Sequence, residues 1–472
     1  MPAKPTPTIE TVDSYPAKDF FVSMLTRDID LQDAILDLLD NCVDGAIRSA
    51  SKADSDPDRD SLKGYWAEIT FDEGNFRLED NCGGIPWDLA RDYAFRMGRP
   101  EHVQTPAGMI GLVGIGMKRA IFKIGRNCFV HSNHADLSFL VTIPPAWFRN
   151  DRLWTFPAQL EKSPIRQHGT LIEISNLEAG ARLAFKRGSS FAASFPDMVA
   201  ESYSYLIEKG FTVKINGKTV KRRPVKICFE NPELPRQKGK LIRPYILRGR
   251  LQQVDVFLTV GYRSRLRTAE EQDDDADETF AAKDAGWTIV CNDRVVLSND
   301  RTLKTGWGIG GVPEFHNQFS CIAGIVDFRA SDTARLPVTT TKRGIDASKD
   351  LYTLIRQRMQ EGLKQFTRNT NRWKGYEHEM KDRFDEIDVL ELRALKQLAP
   401  KLHFVRLAGD GALQQYKPTL PEKVKIVTTR RIKFDKEQTQ IATVSQHLFD
   451  EQRDPNEVGE TCFDRLLGEA TE

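Results

Sequence analysis

Asp37, Asn41, Asp44 and Arg48 recur at steps of three and four, so a helix there gathers two carboxylates, an amide and a guanidinium into one stripe. Such a set suits work on a triphosphate. The amide oxygen of Asn41 can ligate Mg²⁺, and the carboxylate of Asp37, one turn earlier, can orient or deprotonate an attacking water. A polar stripe is equally what a solvated helix face looks like, and the stripe alone does not choose between the two. Further on, Gly111, Gly114 and Gly116 in GLVGIGMKRA permit a tight loop that presents backbone N–H groups to phosphates at a helix start, although ordinary turns carry glycines at this spacing too. Asp80, ending a strand before a glycine turn in EDNCGGIP, can accept a hydrogen bond from the exocyclic amine of an adenine.

These residues need elements to hold them. Leu31, Ile35, Leu38, Cys42 and Ala46 predict an amphipathic helix over Leu31 to Ala50 with the polar stripe opposite. The segment WAEITFDEGNFRLEDNCGGIP reads as a β-hairpin turning at Glu73, Gly74 and Asn75. A helical stretch through Trp87, Ala90, Tyr93 and Ala94 precedes a loop with Gly98, Pro100, Pro106 and Gly108, and the glycine loop then opens a short helix. Strands follow at Asn127 to Ser132, Leu137 to Ile143 and Thr170 to Ile174, which predicts an α/β sandwich with helices on one face of a mainly antiparallel sheet.

The pattern changes near Gly210, where FTVKINGKTVKRRPVKI reads as two strands around an Asn216–Gly217 turn and suggests the start of a second domain. The acidic run Glu270 to Glu278 reads as an exposed, mobile loop within it. Strands in TIVCND, RVVLS and CIAGIVDF precede a helix from Ser348 to Phe366 and a helical region continuing to Leu398. A linker with Pro418 and Pro421 leads to two short amphipathic helices, through Ile441, Val444 and Leu448 and through Val458, Cys462 and Leu466.

At 472 residues the chain has room for about three domains. Its 40% hydrophobic and 29% charged residues are those of a folded globular protein rather than a disordered one. With 68 Lys and Arg against 67 Asp and Glu, no overall field draws it to nucleic acid or an anionic membrane, so such binding requires local patches. Seven scattered cysteines without a CxxC pair, no apolar run of signal-peptide length and no segment of membrane-span length predict a cytoplasmic protein outside the membrane.

Taken in order, DLLDNCVDGA, EDNCGGIP, GLVGIGMKRA and HGTLIEI resemble the four ATP-site motifs of the GHKL superfamily, the Bergerat-fold ATPases that include gyrase, heat-shock chaperones, histidine kinases, MutL and MORC proteins. The resemblance spans roughly the first 180 residues. It implies an α+β protein binding ATP and Mg²⁺: a GHKL ATPase domain over 1–209 with an ATP lid at about 87–110, a transducer-like α/β domain over 210–400, and a linker with a small helical region over 401–472. By the same resemblance Asn41 is the Mg²⁺ ligand, Asp80 the adenine-reading aspartate, and Gly84, beside Ile85, the glycine that lets the base approach the backbone. Gly111, Gly114, Ile115 and Gly116 form the phosphate loop with Lys118 near the phosphates, and Thr170 joins the adenine and Asp80 network, unless it is simply a strand-starting threonine.

Two departures stand out. Asp37 occupies the position where clamp-type members carry Glu, one methylene longer, and a displacement near 1 Å can cost about a hundredfold in rate, so slow or partner-dependent turnover is expected. Asp40 is no obvious substitute, because helix neighbours point about 100° apart. Cys82 replaces the first glycine of the adenine turn and could make the site thiol-sensitive.

No histidine precedes Asp37, which disfavours the histidine-kinase branch. The second domain resembles instead the transducer of the gyrase, MutL and MORC branch, with prokaryotic MORC-like proteins nearest in overall look. In that branch a loop lysine reaches the terminal phosphate, and Lys342 in LPVTTTKRG matches it, with a solvated surface lysine as the other reading. The resemblance thus implies domains that dock only in the triphosphate state, a homodimer formed on ATP binding, and possible partner proteins in a DNA-transaction or phage-defence setting. Basic clusters around Lys218 to Lys226, Arg236 to Arg250 and Arg430 to Lys433 are either ordinary surface charge or a hold on nucleic acid. A nucleotide-gated scaffold with little hydrolysis and a chaperone-like ATPase are the competing functions.

Overall fold

A computed structural model describes residues 16–50, 61–96, 115–162, 168–230, 241–267, 283–339, 342–381, 384, 387–407, 413–421, 432 and 434–471. It is a mixed α+β protein. Helices α1 (Lys18–Arg27) and α2 (Leu31–Ala50) lead into the hairpin β1 (Trp66–Phe71) and β2 (Asn75–Asp80). A short helix, α3 (Trp87–Leu89), runs into a π-helical turn at Ala90–Ala94, and α4 (Gly116–Ile124) precedes β3 (Gly125–His134), β4 (Leu137–Ile143), β5 (Ala158–Lys162) and β6 (Gly169–Leu177). Three helices, α5 (Ala179–Ala184), α6 (Ser190–Ser202) and α7 (Ser204–Glu208), carry the chain to β7 (Thr212–Ile215) and β8 (Lys218–Thr219).

These eight strands form one sheet in the order β5-β4-β3-β6-β2-β1-β7-β8, antiparallel throughout except where β7 runs parallel to β1. Alternation decides its faces. Ala67, Ile69 and Phe71 on β1 and Phe76 and Leu78 on β2 are buried in one core with the apolar residues of α2 and α4. The same period carries Asp80, at the end of β2, onto that covered face. The opposite face is polar, with Arg77 bonded to Glu79 and Glu173 at 2.9 Å each.

The expected Asn216–Gly217 turn is present, with φ of 47° and 77° as a two-residue hairpin turn demands. Its sheet differs from the expectation. Rather than opening a second domain, the hairpin extends the first sheet, because Val213 and Ile215 bury beside β1 through the parallel pairing of Trp66–Ile69 with Thr212–Ile215.

The second sheet has the order β13-β12-β14-β11-β10-β17-β16, built from β10 (Tyr245–Leu251), β11 (Val254–Tyr262), β12 (Gly286–Cys291), β13 (Arg294–Asp300), β14 (Ile322–Arg329), β16 (Val405–Arg406) and β17 (Leu413–Tyr416). Both faces are covered. Tyr245, Leu258 and Val260 pack with Ile355, Met359 and Leu363 of the helix Asp350–Trp373, while Ile246, Phe257 and Ile325 pack with Leu392 and Leu395 of the helix Leu392–Leu398. The helical region expected to run to Leu398 is interrupted by β15 (Asp388–Glu391), which pairs with β9 (Lys226–Phe229). Part of the expected linker is likewise strand, since Leu413–Tyr416 completes the open side of β10.

The chain divides into two compact units at 422/423, the second containing the helices Gln438–Phe449 and Pro455–Thr471 close to where the sequence placed them. Among the described residues no helix is long and apolar enough to cross a membrane. The acidic run 270–278 and positions 97–110 of the expected lid lie outside the described residues, as do Arg236, Lys238, Lys240, Arg430, Arg431 and Lys433. Several described basic residues are partnered internally: Arg222 with Glu391, Arg223 with Glu201 and Asp284, and Arg250 with Asp255.

Candidate functional site

The polar stripe of α2 is not a solvated face. Asp37, Asp40 and Asp44 are all buried, and only Asn41 stands exposed among them. Buried carboxylates require cations, and these come from three elements. Arg119 of α4 donates to Oδ2 of Asp37 at 2.8 Å. Arg294, the first residue of β13, donates through Nε to Oδ1 of Asp40 at 3.0 Å, and the Tyr203 hydroxyl donates to the same oxygen at 2.6 Å. The ammonium of Lys342 lies 3.0 Å from Oδ2 of Asp40 and 3.7 Å from Oδ1 of Asp37.

Lys342 reaches α2 from a tight turn, with its own φ at 56° and its N–H bonded to the Thr339 carbonyl. Arg343 fixes the same turn through Asp33 at 2.9 Å. The loop therefore docks on α2 through the chain's own carboxylates. Asp40 and Asp37 supply anions for this ammonium from within the chain.

The two carboxylates are pushed apart electrostatically. Burial raises the pKa of Asp37 above the usual carboxylate range, with Lys342 and Arg119 only partly offsetting it. For Asp40 burial acts in the same upward direction, but Lys342, Arg294 and the Tyr203 hydroxyl outweigh it and hold the group below its ordinary value. A raised carboxylate suits proton transfer, and a depressed one suits a permanent counter-ion.

Because its folded pKa is depressed, Asp40 contributes stability that is present above about pH 4 and lost as the pH falls through the folded value. Asp40→Asn is therefore expected to lower stability by up to about 3 kcal/mol at pH 7. Urea midpoints of the two proteins should converge as the pH falls below the unfolded carboxylate value of about 4 and through the lower folded one. A gap that is constant with pH would contradict this.

At the other end of α2, Asp80 accepts the backbone N–H of Cys82 at 2.7 Å, and the nearby Cys42 thiol and Thr170 N–H also favour its charged form. Burial nevertheless holds its pKa above the ordinary carboxylate value. Gly83 and Gly84 follow with φ of 93° and 68°, and a Cβ on Gly84 would sit 2.0 Å from the Asn133 carbonyl oxygen, so this backbone lies flush against β3. Ile85 donates its N–H to the Ser132 hydroxyl at 2.7 Å, and Ser132 meets the Thr170 hydroxyl at 3.3 Å. Asp80, Gly84, Ile85 and Thr170 are thus brought together around Ser132, a residue that carried no signal in the sequence.

Gly111 and Gly114 lie outside the described residues. Ile115 caps α4, and Gly116 opens it so close to α2 that a Cβ there would stand 3.1 Å from Oδ2 of Asp37. The ammonium of Lys118 is buried, donates to the Ala94 carbonyl at 2.8 Å, and has its pKa pushed down to about 8 by burial. The cation that α4 turns toward the α2 carboxylates is the next residue, Arg119. The GMKRA segment shows both cations, and only the phase of the helix selects between them. Tyr203 and Arg294 had no sequence signal that could have found them.

Among the described residues there is no cluster of three or more His, Cys, Asp or Glu side chains able to hold a metal alone. An exposed amide beside the buried acids suits Mg²⁺, which keeps several waters and takes much of its remaining coordination from substrate phosphates. No protein-family model and no curated protein sequence matches the chain, so the functional reading rests on these residues and their geometry.

Proposed function

We propose that this chain is a Mg²⁺-dependent ATPase of the Bergerat-fold type, in which ATP binding to the first sheet and its helices drives dimerisation and is relayed to a transducer-like second sheet through Lys342. The observation that carries the reading is the meeting of Lys342 with Asp37 and Asp40 across 302 residues of sequence from Asp40. A solvated surface lysine has no reason to make it. Further support comes from Asp80, Gly84, Ile85 and Thr170 converging at one end of α2 while Gly116 and Asn41 flank Asp37 at the other.

In this reading Asn41 holds Mg²⁺, which when bound withdraws charge from the phosphoryl oxygens. Asp80 accepts from the adenine amine, and the Gly83–Gly84 backbone lets the base lie close. Asp37 orients the attacking water and takes its proton, with Arg119 fixing the carboxylate. Lys342 is shared between α2 and the terminal phosphate, so nucleotide and carboxylates compete for one ammonium, and that differential contact shifts the relay. All seven cysteines are free and six are buried, which suits a reducing cytoplasm.

A second reading, a nucleotide-gated scaffold that hydrolyses little, is favoured by one observation: both oxygens of Asp37 face cations, Arg119 at 2.8 Å and Lys342 at 3.7 Å, which leaves less of the carboxylate open to an attacking water. Equilibrium ATP binding with and without Mg²⁺, beside turnover with and without DNA, separates these readings and tests nucleic acid as a partner. Binding without turnover selects the scaffold, and no binding at all overturns both. Stimulation by unfolded protein rather than DNA would mark a chaperone-like ATPase.

Lys342→Ala is expected to leave ADP affinity within about threefold of wild type while weakening dimerisation with a non-hydrolysable ATP analogue about tenfold or more. Sedimentation of both proteins with the analogue and with ADP measures this. Identical dimer fractions would remove Lys342 from the relay.

A further inference from the structure

We propose that Asp40 is the positioning residue for Lys342, a buried anion that sets where the ammonium stands relative to Asp37. The inference deepens the reading of Lys342 as a relay and rests on it, but its first test involves no nucleotide.

Asp40 and Asp37 are three residues apart on α2 and so are neighbours on one helix surface. They hold the ammonium unequally. Lys342 is within hydrogen-bond distance of Asp40 at 3.0 Å, and at 3.7 Å it is outside that distance from Asp37. Asp40 is itself immobilised. Both Asp40 and Arg294 are only 1% exposed, and Oδ1 of Asp40 is occupied by Arg294 and Tyr203, which leaves Oδ2 facing the lysine.

Arg294 cannot drift with the loop, because its other donors reach the Ser202 and Val295 carbonyls at 3.2 and 2.7 Å and its guanidinium lies 4.4 Å from the Tyr203 ring centroid. One end of the chain Arg294–Asp40–Lys342 is therefore fixed in the fold. The other end is a lysine on a tight turn. The anion at a fixed point determines the position of the movable cation.

A purely structural Asp40 would affect stability without any special relation to Lys342. A positioning Asp40 makes different demands. In wild-type protein without nucleotide, Lys342 should be acylated by an amine-reactive ester about tenfold or more slowly than the exposed Lys374, as read by mass spectrometry. Asp40→Asn should bring the two lysines to similar rates, and Asp40→Glu, which keeps the charge, should leave Lys342 protected. Acylation of wild-type Lys342 at the Lys374 rate overturns the proposal with no variant required.

In turnover, Asp40→Asn should lower kcat about a hundredfold with ATP affinity nearly unchanged, because the cost of misplacing one group falls on the chemical step. In a Lys342→Met background the same substitution should change kcat by no more than about twofold. Losses that multiply in the double variant, or full turnover in Asp40→Asn, would overturn the proposal. Loss of ATP binding by the wild type would instead strike the ATPase reading and leave the labelling result standing.

Discussion

Asp37→Asn is expected to bind ATP within about threefold of wild type and to lose hydrolysis by about 10²- to 10⁴-fold. The substitution preserves the side-chain shape, so its amide oxygen can still accept from Arg119, and the packing of α4 against α2 is retained. What disappears is the group able to take a proton. Single-turnover assays are the right measurement, because product release does not enter them. Equal rates for the Asp and Asn proteins would remove Asp37 from the chemistry and favour the scaffold reading. Asp37→Glu is the companion experiment: a carboxylate one methylene longer should raise turnover if reach toward the water limits the step. Arg119 and Lys342 are set at the length of an aspartate, however, so the longer side chain must also displace them.

Asn41→Ala is expected to weaken Mg²⁺-dependent ATP binding by about a hundredfold or more, which is about 2.8 kcal/mol. The fold should persist, since Asn41 is the exposed residue among the buried acids of α2 and alanine favours a helix. Titration calorimetry with and without Mg²⁺ measures the effect. Unchanged affinity with unchanged magnesium dependence would show that the amide is no ligand and that the stripe of α2 serves only the ion pairs described above.

Much of the site's local frame was legible in the chain. The periodicity of Leu31, Ile35, Leu38, Cys42 and Ala46 specifies α2 from end to end, alternation in WAEITF and NFRLED specifies the β1–β2 hairpin, and Asn216–Gly217 specifies the turn between β7 and β8. Alternation also carries Asp80 onto the same face as Phe76 and Leu78. Each of these signals acts over a few residues, where backbone geometry leaves few alternatives.

Only the tertiary structure decided what covers the polar stripe. Asp37, Asn41, Asp44 and Arg48 would have the same spacing on a solvated helix, and what makes the carboxylates a site is the arrival of Arg294 and Lys342, 254 and 302 residues from Asp40. Helix phase chose Arg119 over Lys118 as the cation facing Asp37, and the apolar faces of Val213 and Ile215 drew the later hairpin into the first sheet. The physical reason is common to all three. Periodicity is a property of neighbouring residues, whereas the partner of a buried side chain, charged or apolar, depends on which distant element the folded chain brings against it.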